Sequence, residues 1–197
     1  MRATRRSSWR SFDPAAARRP AAASLPVQAS HAPVRVLGLD PGSRITGFGV
    51  IDCVGREQRY VASGAIRTTA GAFAVRLQEI YRAIVGLVEL HAPDEIAIER
   101  AFVHANPDSA LKLGQARGAA LAATFAVARP VGEYSPREVK LAVTGSGAAD
   151  KGQVSRMVKE LLALEGRLQA DAGDALAIAL CHAQARGLRA LLAGSRR

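Results

Sequence analysis

The sequence predicts an α/β fold in which a mixed sheet carries helices on both faces. Two observations lead to this class. Three candidate strands come first and lie close enough along the chain to form a meander, after which strands and helices alternate. The spacing of apolar residues also changes at Phe73 from a strand-like to a helical period. At 197 residues the chain is long enough for one domain with a well-buried core, and it contains no internal repeat.

The candidate strands are short apolar runs bounded by turn sequences. The first covers residues 34–39, is rich in β-branched residues and stops at the turn Asp40-Pro41-Gly42-Ser43. Four more runs have the same character. They cover residues 48–52, 60–66, 96–98 and 131–134. The run at 96–98 is short and apolar and ends at Glu99, as a buried strand would.

The candidate helices are predicted from apolar periodicity and capping sequences. In residues 73–90 the apolar side chains fall on one helical face, and His91-Ala92-Pro93-Asp94 ends that helix. Ser135-Pro136-Arg137-Glu138 is a capping box with proline at the first helical position, and the loop Gly145-Ser146-Gly147 follows that helix. The remaining helices are predicted for residues 107–128, 151–164 and 171–186.

The helix predicted for 107–128 has one flat side. Gly114, Gly118 and Ala122 recur every four positions, so another helix can approach closely there. We expect this side to serve either internal packing or a dimer interface.

Both ends of the chain are predicted to lie outside the folded domain. Residues 1–33 contain six arginines and one acid without hydrophobic periodicity, which is typical of a disordered basic arm. This arm fits an organelle transit peptide, an extension that adds non-specific affinity for DNA, or a dispensable tail from an over-extended start. Residues 188–197 are interpreted as a basic C-terminal tail.

Charge and composition narrow the class of function. The net charge is +10, and half of it belongs to residues 1–33, so the rest of the chain is moderately basic. This balance favours an anionic partner such as nucleic acid without proving one. No apolar run approaches the roughly 18 residues that a bilayer requires, so we expect no membrane span. Cys53 and Cys181 have no metal or redox spacing, and we interpret them as buried residues of a cytoplasmic protein.

Four acidic residues stand where a metal site is expected. Asp40 and Glu99 each end an apolar strand, and neighbouring parallel strands present such residues at the same sheet edge. Asp171 and Asp174 are three positions apart at the start of the last helix, so both lie on one face. The residues around them are Ala and Gly, which leave room for a ligand.

Converging carboxylates repel each other unless a divalent cation neutralises them. All-oxygen ligands favour Mg²⁺ or Mn²⁺, and two such ions activate water and stabilise the leaving oxygen in phosphodiester hydrolysis. Each acid also has an ordinary interpretation, because Asp171 can cap a helix and Asp40 can begin a type I turn. Spacing alone therefore leaves the metal site open.

Four separated segments around these acids carry specific motifs. They are GLDPGSRITGFGV at 38–50, AIE at 97–99 with DSALKLGQARG at 108–118, VK at 139–140 with GSGAADKGQV at 145–154, and ADAGDALAIA at 170–179. In order, they resemble the first strand and turn, the second acidic strand and its helix, the basic loop, and the C-terminal acidic helix of the RuvC family of Holliday-junction resolvases. The eleven residues at 108–118 are the most specific.

This resemblance implies a ribonuclease-H-like fold with a mixed five-stranded sheet for residues 34–187. It places Asp40, Glu99, Asp171 and Asp174 on the family's four catalytic, metal-binding positions, with two Mg²⁺ ions per site expected and Mn²⁺ as the alternative. Family members are homodimers that nick opposed strands of a four-way DNA junction, leaving 5′-phosphate and 3′-hydroxyl ends. They also work beside the RuvA–RuvB branch-migration complex.

The same resemblance implies residues that contact DNA. Phe102 falls where the family places an aromatic side chain that stacks on junction bases, although a core phenylalanine is the alternative. Lys140 and Lys151 match lysines near the scissile phosphate, although each can also be a solvated surface charge. Arg117 lies in the matched helix and has a weaker case for contacting phosphate.

Three other functions fit part of the pattern. A junction-binding module without catalysis would keep the basic surface, but the intact acids argue against it. An actin-like ATPase shares the Asp-Pro-Gly turn after a strand, but that fold needs two lobes and this chain is too short. A ribonuclease-H-like nuclease acting on RNA is opposed only by the motif beginning at Asp108 and by the basic loop, so the preference for DNA rests on the resemblance.

Overall fold

The computed structural model describes residues 32–100 and 106–194. Within these residues five strands form one sheet. Their bounds are β1 (Val34–Asp40), β2 (Ile45–Val54), β3 (Glu57–Arg67), β4 (Glu95–Glu99) and β5 (Val131–Tyr134). The strand order is β3-β2-β1-β4-β5, with the first three strands antiparallel and with β4 and β5 added parallel to β1. The predicted meander and the predicted mixed five-stranded sheet are both confirmed.

Helices lie on both faces of this sheet. Their bounds are α1 (Phe73–His91), α2 (Pro107–Thr124), α3 (Pro136–Thr144), α4 (Lys151–Leu161) and α5 (Ala170–Gly194). Alternate strand residues enter two separate cores, since Leu39 and Ile98 pack with α1 and α2 while Val36 and Ala97 pack with α3, α4 and α5. In the described part of the chain, no helix combines the length and apolar character needed to cross a membrane.

Helix α5 lies directly on β1 and β2 because these strands carry glycine beneath it. A Cβ atom at Gly38 would stand 2.2 Å from the carbonyl oxygen of Ala175, and one at Gly47 would stand 2.0 Å from that of Asp171. Neither position can accommodate a side chain, so the helix backbone rests on the strands themselves. This close approach holds the first turn of α5 above the end of β1.

Two helices are shorter than predicted. Helix α2 ends at Thr124, whose hydroxyl donates a hydrogen bond to the carbonyl oxygen of Leu121. Helix α4 ends at Leu161, because Ala163 adopts a left-handed conformation with φ of 49°. Apolar periodicity continues past both ends, which is why the sequence predicted longer helices.

Helix α5 is longer than predicted. It continues beyond Arg186 to Gly194, so residues 188–194 are helical and do not form a separate tail. The sequence prediction ended this helix at Arg186, but a Cβ added at Gly187 would meet no atom within 4 Å, and the helix continues through this residue.

Candidate active site

Asp40 and Glu99 end adjacent parallel strands at the same edge of the sheet. The last register pair that joins β1 to β4 is Leu39 with Ile98, so the next residue of each strand stands beside the other. Leu39 and Ile98 face the core under α1 and α2. Because side chains alternate along a strand, Asp40 and Glu99 face α5 instead. The sequence-based expectation that these two residues share a sheet edge is borne out.

The first turn of α5 brings the other two acids to this edge. Asp40, Glu99 and Asp174 line one cleft of about 430 Å³, here called the acid cleft, whose wall also includes Lys140 and Lys151. Asp171 lines an adjoining cleft, and Asp174 and Lys151 line both. All four predicted acids therefore lie around one end of the sheet, where the close contact between α5 and β2 holds them.

The partly buried carboxyl groups of Asp40 and Glu99 lie in the negative field of the neighbouring acids. Burial raises the pKa of Asp40 to about 6, with further increases from the charges of Asp174 and Asp171, while Lys151 opposes the shift. Burial likewise raises the pKa of Glu99 to about 7, and the charges of Asp40 and Asp174 add to it. One lysine therefore does not neutralise the cluster.

Lys140 and Lys151 reach the acid cleft from α3 and α4. Lys151 is the first residue of α4 and follows the N-cap Asp150, whose side chain accepts a hydrogen bond from the backbone N–H of Gln153. The Lys151 Nζ lies 3.5 Å from Asp174 Oδ2, and its side chain is 86% exposed. This ion pair is long and solvated, so the lysine is available to a ligand.

Two other predicted DNA-contacting residues have different outcomes. The guanidinium of Arg117 donates a 2.9 Å hydrogen bond to the carbonyl oxygen of Glu99 and forms an ion pair with Glu133. Arg117 thus supports the end of β4 from behind, and its contact with DNA stays a prediction. Phe102 lies outside the described residues.

The donor set fits a hard divalent cation in type and charge. Two carboxyl groups with raised pKa values stand at the acid cleft with Asp174, and Asp171 is close enough to raise the pKa of Asp40. Oxygen ligands of this kind suit Mg²⁺ or Mn²⁺. Among the described residues, however, no three His, Cys, Asp or Glu side chains are already grouped as metal ligands. The fit is therefore one of donor chemistry and charge.

The sequence interpretation missed two arginines beside the acids. Arg67 and Arg167 line the cleft that adjoins the acid cleft. Arg67 ends β3 opposite Ile45, and the predicted meander could have indicated that this residue returns to the same edge. Arg167 lies in the loop before α5, where no periodicity or motif signals its position.

Comparisons with known proteins place these observations in a family context. A family model described as crossover junction endodeoxyribonuclease RuvC matches residues 36–182. The crossover junction endodeoxyribonuclease RuvC of Shewanella piezotolerans is 54% identical over 147 residues, which cover 75% of this chain and 85% of that protein.

Solved structures agree. T. thermophilus RuvC in complex with a Holliday junction substrate superimposes with a TM-score of 0.74 at 32% identity, covering 79% of this chain and 96% of that one. The yeast mitochondrial Holliday junction resolvase Ydc2 matches with a TM-score of 0.59 at 16% identity over 82% of this chain and 83% of its own, which supports the fold alone. The predicted ribonuclease-H-like fold is confirmed.

Proposed function

The chain belongs to the RuvC family of crossover junction endodeoxyribonucleases, and on that premise we propose that it resolves four-way DNA junctions in recombination and repair. The proposed reaction is a pair of symmetric phosphodiester hydrolyses that leave 5′-phosphate and 3′-hydroxyl ends. The observation that carries it is the pair Asp40 and Glu99, side by side at an open sheet edge, with pKa values raised to about 6 and about 7. Perturbed acids in a cleft mark a functional site.

Asp40, Glu99, Asp171 and Asp174 are proposed to hold the metal, with two Mg²⁺ ions per site expected and Mn²⁺ as the alternative. When bound, such ions supply an activated water and stabilise the leaving oxygen. The carboxylates would hold the ions. As they ionise, their mutual repulsion is relieved by the cation, so the residues that raise each other's pKa in its absence become its ligands.

Lys140 and Lys151 are proposed to hold the scissile phosphate against the acids. Both line the acid cleft, and Lys151 extends from the first turn of α4 with most of its side chain in solvent. A lysine is a compact point charge that suits a single phosphate oxygen. For Phe102 we propose stacking on an unpaired base at the junction, which follows from the family resemblance alone.

A homodimer is proposed because two symmetric cuts need two equivalent sites. Helix α2 offers an apolar, solvent-exposed face that supports this arrangement. Leu111 is 62% exposed and Phe125 is 68% exposed, and a Cβ added at Gly114 or Gly118 between them would meet no atom within 4 Å. A second copy that packed there would bury this face. We further propose that the enzyme acts in the cytoplasm beside the RuvA–RuvB complex.

The test uses an end-labelled synthetic four-way junction and a linear duplex of the same sequence, each with Mg²⁺ or with EDTA. We expect paired nicks in the junction alone, lost in EDTA and in Asp40→Asn while junction binding persists. Asp52→Asn is the matched control, because Asp52 pairs with Arg35 at the opposite end of the sheet. Wild-type cutting by Asp40→Asn would contradict the site assignment. Tight binding without nicks across several junction sequences would favour the non-catalytic module, and equal cutting of an RNA–DNA hybrid would favour the rival nuclease class.

A further inference from the structure

The cleft beside the acid cleft has a positively charged wall. It encloses about 650 Å³, and its wall includes Arg67, Arg167, Lys151, Asp171 and Asp174. We call it the arginine cleft. Three cations face two carboxylates in this wall, so it is net positive although it adjoins a negative site.

The two arginines of this cleft are available to bind an anionic ligand. Both Arg67 and Arg167 are exposed, and neither forms an ion pair with any carboxylate in residues 32–100 and 106–194. Among the other described arginines, five form ion pairs with acids. Paired examples are Arg35 with Asp52, Arg59 with Glu57, Arg100 with Glu138, Arg117 with Glu133, and Arg186 with Glu95. Unpaired guanidinium groups that share one concave wall present planar donors suited to a phosphate group.

We propose that the arginine cleft binds a backbone phosphate of the cut strand, next to the phosphate that is hydrolysed. The two clefts share Asp174 and Lys151, so they are continuous. Phosphates recur about every 3.4 Å of axial rise along one strand, so a strand with its scissile phosphate at the acids carries a neighbouring phosphate into the arginine cleft. The inference deepens the proposed function and rests on it for the identity of the substrate.

The fold supports a positioning role for this contact. Arg67 is the last residue of β3 and pairs with Ile45, while Arg167 comes from the loop that leads into α5. Arg67 and Arg167 therefore come from different elements and line one cleft together with Asp171 and Asp174, which lie at the start of α5. A phosphate held between them fixes the strand relative to the acids, and such positioning residues raise the fraction of bound DNA aligned for attack.

The experiment measures junction binding in EDTA, with and without one neutral methylphosphonate linkage placed in turn at each position within three nucleotides of the cut site. We expect one flanking position at which neutralisation weakens wild-type binding by about tenfold, the effect expected for loss of one charge-assisted contact. In Arg67→Ala/Arg167→Ala that same linkage should have no further effect. Arg67→Lys/Arg167→Lys should retain part of the binding, because the charge remains while the planar fork is lost.

The matched control is Arg56→Ala/Arg129→Ala. It also removes two exposed arginines for which the described residues provide no ion pair. Both lie at the end of the sheet opposite the acids, one in the β2–β3 turn and the other just before β5. We expect it to keep the wild-type methylphosphonate pattern. Equal patterns in the two double variants, or a wild-type pattern with no sensitive flanking position, would overturn the proposal. Thermal unfolding of each variant establishes that it is folded.

Cutting in Mg²⁺ separates this inference from the proposed function. If the wild-type chain binds junctions without cutting them, the proposed function fails while the binding pattern still decides the role of the arginine cleft. If Arg67→Ala/Arg167→Ala cuts and binds like the control, only the arginine cleft is ruled out. If the wild-type chain does not bind junction DNA at all, both are overturned.

Discussion

Glu95 and Glu99 lie at the two ends of β4, and the pKa values of their carboxyl groups are shifted in opposite directions. They are four residues apart, so both face α5. Burial raises the pKa of Glu95, but hydrogen bonds from Arg186 and His182, each 2.7 Å long, outweigh it and lower the pKa below its usual value. The carboxyl group of Glu99 accepts no hydrogen bond from a described side chain, and its pKa is about 7. Both residues lie on β4 and face α5, so the difference between their pKa values comes from the cationic partners of Glu95.

The end of the sheet that contains Glu95 has a buried hydrogen-bond network. His182 is 2% exposed, and its Nδ1 lies 2.9 Å from the hydroxyl of Tyr134, which also accepts a hydrogen bond from Arg189. Buried polar groups paired in this way lock one arrangement of the fold. Helix α5 begins at the acids and later reaches this network, so the paired end holds the helix that carries Asp171 and Asp174. The residues that stabilise the fold and the residues expected to react are therefore separated along one helix and one strand.

The largest expected contrast is in catalysis. Glu99→Gln should reduce the rate of junction cutting on the order of 10³-fold, the effect of losing one preorganised charge at a reacting centre. Glu95→Gln should cut within a few-fold of wild type, because its carboxyl group serves Arg186 and His182. Single-turnover rates with Mg²⁺ in excess measure both. Equal losses in the two variants would remove the distinction between the ends.

The contact beneath α5 should control the position of the acids. A Cβ at Gly47 would overlap the carbonyl oxygen of Asp171, so Gly47→Ala should displace the first turn of α5 and slow cutting by about 10²-fold. Gly86→Ala is the control, since Gly86 lies in α1 and a Cβ added there would meet no atom within 4 Å. That control should leave cutting unchanged and stabilise the chain by about 0.5–1 kcal/mol. Normal cutting by Gly47→Ala would show that the helix position is not critical.

The free energy of unfolding should depend on the end of the sheet that contains Glu95. Glu95→Gln should lower the free energy of unfolding by about 1–2 kcal/mol, because His182 and Arg186 lose their charged acceptor in a partly buried setting. Urea unfolding without added metal gives this value. Glu57→Gln, which breaks an exposed pair with Arg59, is the control and should cause no measurable change. A larger loss in Glu99→Gln than in Glu95→Gln would reverse the comparison.

The pH dependence of stability should have opposite signs at the two ends. The raised pKa of Asp40 means that its contribution to stability is complete below the unfolded value of 3.8 and is lost as the pH rises through about 6. The lowered pKa of Glu95 means that its contribution is present above 4.5 and is lost on acidification. Without metal, Asp40→Asn should therefore match wild type near pH 4 and exceed it by about 1–3 kcal/mol at pH 8. An unchanged difference across this range in urea unfolding would contradict the burial of an unneutralised Asp40.

The sequence could predict the reactive end because its signals are local. An acid that closes an apolar strand, as Asp40 and Glu99 do, is visible within seven residues, and the parallel arrangement then brings the two together. The paired end has no such signal. Glu95 and His182 are 87 residues apart, and each alone resembles an ordinary surface or core residue. The flat Gly-rich side of α2 was visible, yet the sequence could not decide whether it is covered within the chain.

A calorimetric titration of the metal-free chain with Mn²⁺ tests whether this sheet edge is the metal site. Run in buffers of different ionisation enthalpy, it counts the protons released on binding. Because the pKa values of Asp40 and Glu99 are about 6 and about 7, binding at pH 6.5 should release about one proton, and binding at pH 9 should release almost none. Glu95→Gln should behave like wild type, whereas Glu99→Gln should bind more weakly and release fewer protons. Mn²⁺ binding without proton release at pH 6.5, or identical binding by Glu99→Gln, would contradict the assignment of this sheet edge as the metal site.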